Sequence, residues 1–333
     1  MSLQPRGTGP VTRPFTRFLA LLLAVAALPA AAQAGPPGPV AAQAAAPGMP
    51  AAAARAGRGP ALLSNPAPMY WVLESEGARV HVFGTIHLGS PGLADPPPEV
   101  LAAFDGADRL VAEVSSDEMA TAGLAMIGPI MRSTLPVGET IGDYLSRHDT
   151  AALKRVFGRR WSSIERMEPW LVSLMLQAEL LSGSGYDESR GLDRRLFKRA
   201  GERPVLGLES LRDQFALLRA GSAREQAAGL SKLLHDFLDG DAERRNRELF
   251  SAYESGDAAA MADILEGARL ELLEADPSGQ AYALLFTNRN RAWAKKIALW
   301  LDEGGNWFLF AGAGHFFGDT SVFEELRALG VLR

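Results

Sequence analysis

The sequence predicts an α/β protein whose mixed central sheet is assembled from the N- and C-terminal parts of the chain, with a helix-rich middle inserted between them. Three observations support this. Short runs dense in Val, Leu, Phe and Trp recur towards both ends, bounded by Gly, Pro or Asp as strands are. About residues 116–190 and 220–287 carry apolar residues at three- and four-residue intervals with little strand-like alternation. Strand-like and helical runs also alternate, the order from which parallel sheets are built.

The chain opens on Arg6, Arg13 and Arg17, then the apolar run from Phe18 to Leu28 and the small residues Ala32-Gln33-Ala34. This reads as a secretory signal over residues 1–34, too short in its apolar part to span a bilayer and therefore expected to be removed. A periplasmic or secreted location follows, without a stable membrane span. Residues 35–66 are dominated by Ala, Pro and Gly and read as a disordered tether. The rest, residues 67–333, is long enough for one large α/β domain.

Within that domain, Met69 to Glu74 and Ala78 to Gly84 read as a hairpin across Ser75-Glu76-Gly77. A helix over Glu99 to Asp105 leads to a strand over Arg109 to Val114, an order that favours a parallel pair with the hairpin's second strand. Ser116 to Ser182 is helical, its clearest apolar stripe being Trp170, Leu171, Leu174, Met175, Ala178 and Leu181, read as core packing. A helix near Leu192 to Ala200 precedes a short buried strand over Pro204 to Leu208. Further helices run from Ser210 to Arg219, through most of Ala223 to Asp276, and from Asn288 to Asp302. The strand Trp307 to Ala311 and a helix around Ser321 to Leu329 close the chain.

Charge and composition exclude several chemistries. The formal charge of −5 becomes −8 when the three signal arginines leave, and no basic stripe remains to bind nucleic acid. With no Cys, thiolate nucleophiles, thiolate zinc sites and iron–sulfur clusters are all excluded, which leaves His, Asp and Glu as metal ligands. No His-Glu-x-x-His helix is present, so the familiar zincin mechanism is disfavoured.

Four apolar runs end in reactive residues: Val82 to His87, Leu110 to Glu113, Val205 to Glu209, and Phe308 to His315. In open α/β sheets ligands bind at the carboxyl ends of strands, so residues distant in sequence converge there. Two of these runs end in Gly-x-x-His, at Gly84 and Gly312, where a residue without Cβ permits a sharp exit or a close backbone approach. Glu113 interrupts an apolar strand, where an unpaired carboxylate is costly. Glu209 has the alternative role of an early-turn acid favoured by the helix dipole. Arg289 and Arg291 open a helix just upstream of the second Gly-x-x-His strand, where Arg289 is placed to orient a carboxylate or stabilise an oxyanion. His81 is expected on the outer face of its strand, and His148 and His235 in solvent.

These residues resemble those of the TraB/GumN family, which includes the TIKI proteases. The matching stretches are Gly84-Thr85-Ile86-His87-Leu88-Gly89, Glu113 after Asp108-Arg109-Leu110-Val111, Gly191-Leu192-Asp193, Gly207-Leu208-Glu209 followed by Gln214, Arg289-Asn290, and Gly312-Ala313-Gly314-His315. They cover about residues 69–333. Phe316 stands where the family commonly has Leu. The resemblance implies an α/β fold related to those of erythromycin esterase and the ChaN-like proteins and, for TIKI-like members, metal-dependent peptide hydrolysis.

The expected function is thus that of a divalent-metal hydrolase, most simply a peptidase. His87 and His315 would ligate a Zn, Mn, Co or Fe ion, with Glu113 as ligand or general base. Glu209 would be a further ligand or an orienter, and Arg289 a charge stabiliser. The alternative is a non-catalytic envelope binding protein whose same cleft holds a metal, haem or a polymer. A third is a scaffold whose helical middle docks a partner.

Overall fold

A computed structural model describes residues 60–182 and 184–333. The signal segment and nearly all of the tether lie outside the described residues. The tether's last residues, 62–66, belong instead to the first strand, β1 (Leu62–Ala67). That edge is tied to the chain's end, where Ala61 N–H donates to Val331 O at 2.8 Å.

The remaining strands are β2 (Tyr70–Ser75), β3 (Ala78–Thr85), β4 (Arg109–Ala112), β5 (Val205–Gly207) and β6 (Gly305–Gly312). Their order in one sheet is β1-β2-β3-β6-β4-β5. The β1/β2 and β2/β3 pairs are antiparallel, whereas β3/β6, β6/β4 and β4/β5 are parallel. The protein is therefore mixed α/β, with a six-stranded mixed sheet and eleven helices of seven residues or more among the described residues.

One expectation changes here. β3 and β4 run parallel but are not neighbours, because β6 lies between them. The reason is the composition of β6: Trp307-Phe308-Leu309-Phe310-Ala311 is apolar at every position, and all five residues are buried. Such a strand is stable only where both faces are covered, in the interior of a sheet.

Helices cover the sheet on both sides. On one face Phe83, Leu110, Phe308 and Phe310 pack against α1 (Pro98–Gly106), α5 (Leu192–Ala200), α8 (Asp241–Glu254) and α9 (Ala258–Ala275) through Phe104, Leu196, Tyr253 and Met261. On the other, Val80, Val82, Val111 and Leu309 meet Trp293, Ile297 and Leu301 of α10 (Asn288–Glu303) and Val322 and Leu326 of α11 (Val322–Ala328). This two-sided cover corrects the reading of His81. It is buried, stacks with Tyr70 and Phe308, and pairs through Nδ1 with the Tyr70 hydroxyl at 2.7 Å.

The helical middle builds a separate core. α2 (Ser116–Arg132), α3 (Arg147–Phe157), α4 (Pro169–Leu181), α6 (Leu211–Leu218) and α7 (Ala223–Leu238) complete the set of helices. Leu153 and Phe157, Val172 and Leu176, and Leu230 and Leu234 join α3, α4 and α7 around Ile141. Among the described residues no helix is long and apolar enough to cross a membrane. His148 is exposed, while the half-exposed His235 pairs with Asp149 at 2.9 Å.

Candidate active site

Four neighbouring strands, β3, β6, β4 and β5, are mutually parallel, so their carboxyl ends share one edge of the sheet. His87 follows β3, His315 follows β6 in a short 3-10 turn, Glu113 follows β4 and Glu209 follows β5. The glycines of the two Gly-x-x-His turns have a steric purpose. A Cβ on Gly84 would lie 3.1 Å from both Cα and Cβ of Ala313, so this glycine admits the second turn beside the first. A Cβ on Gly312 would lie 3.2 Å from both Glu113 Oε1 and His87 Nε2, and 3.9 Å from His315 Cδ2. The three side chains expected to share a site therefore converge on the space that Gly312 leaves open.

Each histidine is held in one orientation through Nδ1. His87 Nδ1–H donates to Asp193 Oδ2 at 2.7 Å, and the Thr85 hydroxyl donates to the other carboxylate oxygen. His87 Nε2 is then left facing Glu113 Oε1 at 3.8 Å. His315 Nδ1–H donates to Asn290 Oδ1 at 2.5 Å, and the Asn290 amide is fixed in turn by donating to Thr320 O at 2.6 Å. Orienting a histidine through one ring nitrogen keeps the other available for a proton or a metal.

Arg289 knits the opposite side. It reaches the site from the start of α10, directly after the π-turn Ala283–Thr287. Its Nη2 donates to Glu113 Oε2 at 2.8 Å and to Glu209, its Nε to Glu209 Oε2 at 2.9 Å, and its Nη1 to Leu285 O at 3.1 Å and His315 Nε2 at 3.0 Å. A guanidinium has five N–H donors, and all five are used. Gln214 Nε2 bridges the same carboxylates, 3.2 Å from Glu113 and 2.8 Å from Glu209, while its Oε1 is buried with no partner among the described residues. The last oxygen of Glu113, Oε1, accepts from Gly312 N–H at 2.8 Å.

Burial and charge act against each other throughout. Burial pulls the His87 imidazole down, but the Asp193 carboxylate, with Glu113 behind it, outweighs that and holds it above its ordinary value. Burial pushes Glu113 up against the opposing pull of Arg289 and His87. Asp193 is held low despite its burial, because His87 and Thr85 satisfy the charged carboxylate. Burial, then Arg289 and His87, keep His315 well below the ordinary histidine range, so it is a neutral acceptor for Arg289. At the rim, burial raises Glu188 to about 7. Glu113 and Glu209 share the guanidinium of Arg289, while Asp193 is matched by the imidazole of His87.

The residues fit a divalent ion in part. Among the described residues, no group of three or more His, Asp and Glu converges as a metal site. His87 Nε2 and Glu113 Oε1 supply one nitrogen and one oxygen donor, close enough to share an ion. His315 Nε2 and both oxygens of Glu209 are already engaged by Arg289. Next to His87 and Gly312 lies a cavity of about 120 Å³, walled mainly by leucines of the helical middle.

The structure thus brings His87, Glu113, His315, Glu209 and Arg289 together. The roles of Asp193, Asn290, Thr85 and Gln214 went unassigned at the level of sequence, although each stands inside or just after a matching stretch. Their signal was position: each lies within a few residues of a strand end or helix start that was already marked.

Curated relatives match most of the chain. An uncharacterized protein of Treponema pallidum (strain Nichols) is 28% identical over 283 residues, covering 82% of this chain and 84% of its own. The uncharacterized protein YbaP of Escherichia coli (strain K12) is 24% identical over 254 residues, covering 74% of this chain and 87% of its own, and the Shigella flexneri YbaP matches equally. No solved structure matches. The TraB/PrgY/gumN family model matches residues 69–332, which span both Gly-x-x-His turns and every residue of the site just described, and the chain belongs to that family.

Proposed function

We propose that this protein is a hydrolase of peptide bonds that works outside the cytoplasm, in the periplasm or after secretion, with His87 and Glu113 at its reacting centre. The observation that carries the reading is the 3.8 Å approach of His87 Nε2 to Glu113 Oε1 beside a cavity, both side chains buried and each oriented from behind. The relation to the erythromycin esterase and ChaN-like folds belongs to the same proposal. It is supported by the four parallel strands that deliver reactive residues at their carboxyl ends.

His87 is the proton acceptor for water, because Asp193 occupies Nδ1–H and leaves the Nε2 lone pair directed into the site. Glu113, raised by burial, is suited to carry a proton to the departing amine. Where a divalent ion of the Zn, Mn, Co or Fe type is bound, His87 Nε2 and Glu113 Oε1 would hold it instead of exchanging protons, and the ion would supply a water acidified towards neutrality and a polarised carbonyl. Arg289 has no donor left for a substrate oxygen, so it acts as a positioning residue that fixes Glu113, Glu209 and His315.

The test is metal analysis of the purified protein, followed by digestion of a peptide library with and without chelator. Chelator-sensitive cleavage is expected, with His87→Ala slower by about 10²–10⁴-fold. Stoichiometric metal without such cleavage would instead favour a non-catalytic envelope binding protein for a metal, haem or a polymer.

A further inference from the structure

The cavity beside His87 is built by a different part of the chain from the reacting groups. Leu180 and Leu181 of α4, Leu233 of α7, Leu249 and Phe250 of α8 and Met261 of α9 form its walls, and His87 and Gly312 meet it from the sheet. Its volume of about 120 Å³ compares with roughly 150 Å³ for an apolar cavity that admits benzene. One branched aliphatic or aromatic side chain fills that space.

Three side chains from the helices break the apolar lining: Gln177, Asn246 and Arg245, whose guanidinium is paired with Asp236. Gln177 sits on α4, where Trp170, Leu171, Val172, Leu174 and Leu176 are all buried, and it is itself only 8% exposed. Asn246 lines the same cavity from α8. Neither carboxamide hydrogen-bonds to protein among the described residues, and Asn246 is only half-buried, so both are open to a partner that enters the cavity. A carboxamide offers both a donor and an acceptor, the complement of a peptide group's C=O and N–H. Two of them above an apolar floor match a residue of a polypeptide, and match a fatty acyl chain poorly.

We propose that this cavity binds a leucine- to phenylalanine-sized side chain of a peptide substrate, with Gln177 and Asn246 holding the adjacent backbone amides. This rests on the peptidase reading and names its preferred substrate: a peptide whose bond lies next to a bulky apolar residue. Chemistry is then assigned to the sheet and selectivity to the inserted helices.

Binding is measured by NMR titration of the full chain with three probes: N-acetyl-leucine N-methylamide, N-acetyl-glycine N-methylamide and 3-methylbutan-1-ol. The leucine probe is expected to bind at least about tenfold more tightly than the glycine probe, the worth of burying an isobutyl group. Gln177→Leu should weaken the leucine probe by about tenfold and leave the alcohol's binding intact. Ala242→Phe, which fills the cavity, should abolish binding of both, with an unchanged melting temperature showing that it folds. Equal binding of the leucine and glycine probes would overturn the proposal, as would a folded Ala242→Phe that binds like the wild type. Tight leucine-probe binding without cleavage of any library peptide supports the pocket while sinking the hydrolase reading. Cleavage with no preference for apolar residues does the reverse.

Discussion

At Gly312 the smallest side chain decides the geometry of the largest interactions. Its backbone angles, φ −51° and ψ 127°, suit any residue, so glycine is required there by crowding alone. Gly312→Ala is expected to force His87 and Glu113 apart, lowering peptide cleavage by at least about tenfold and destabilising the fold by about 1–3 kcal/mol. Steady-state kinetics and urea unfolding check both. The His87–Asp193 pair makes a second prediction with opposite signs for stability and activity. His87 is raised above 6.5, so its contribution to stability is complete below that pH and is lost as pH rises through the folded value. Asp193 is lowered from 3.8, so its contribution is present above that pH and is lost as pH falls through the folded value. The pair therefore stabilises most on the mildly acidic side of neutrality, whereas neutral His87, whose Nε2 is free to take a proton or a metal, accumulates only above 6.5. Asp193→Asn should move the rising limb of a kcat/KM–pH profile to lower pH and reduce its plateau. An unmoved limb would show that another group is titrating. His87, His315, Glu113, Glu209 and Arg289 were legible in the sequence because each lies at the end of an apolar run or the start of a helix. Asp193 and Gln177 were hidden, one in a polar helical segment and the other in a stripe that reads as core. His81 was misread because strand alternation reveals which residues share a face, not whether that face is covered.

Among the elements, β6 and α10 act as a pair. The chain leaves α10 through Gly304 and Gly305, with φ of 91° and 88°, a left-handed turn that residues with a Cβ enter at a cost, and so places β6 beneath the helix that precedes it. α10 presents Arg289 and Asn290 at one end and buries Trp293, Ile297 and Leu301 along its length, so the packing of the helix sets where the guanidinium stands. In β6, Phe310 meets Phe197 edge-on at 5.2 Å and Phe104 at 6.1 Å between ring centroids. Phe310→Ala should destabilise the protein by about 3–5 kcal/mol in chemical denaturation. Most elements could be read from composition and period, including the hairpin and the last helix–strand pair. The order of strands could not, because sequence proximity favours pairing β3 with β4, and only the burial of β6 on both faces puts it between them.

For the molecule as a whole, the sheet with its two helical covers meets the helical middle where α7 packs on α8 and where α2 packs on β5, while the core around Ile141 stays separate. Small cores bury less apolar surface and open more readily. Amide hydrogen exchange should therefore be faster in α3 and α7 than in β3 and β6, and peptide-probe binding should slow it in α4 and α8. Uniform exchange across both regions would show one cooperative unit. The central position of β6 has a further consequence along the chain. The strand that divides the sheet, the second histidine and the arginine that binds three of its partners all come from residues 289–315, later in the sequence than His87, Glu113, Asp193 and Glu209. Without that stretch, β3 lacks its parallel neighbour, His87 and Glu113 have no Gly312 between them, and Glu113 and Glu209 lack their guanidinium. A chain without residues 289–315 thus has no assembled site: the order of the sequence makes the second half of the cluster the key that closes the first.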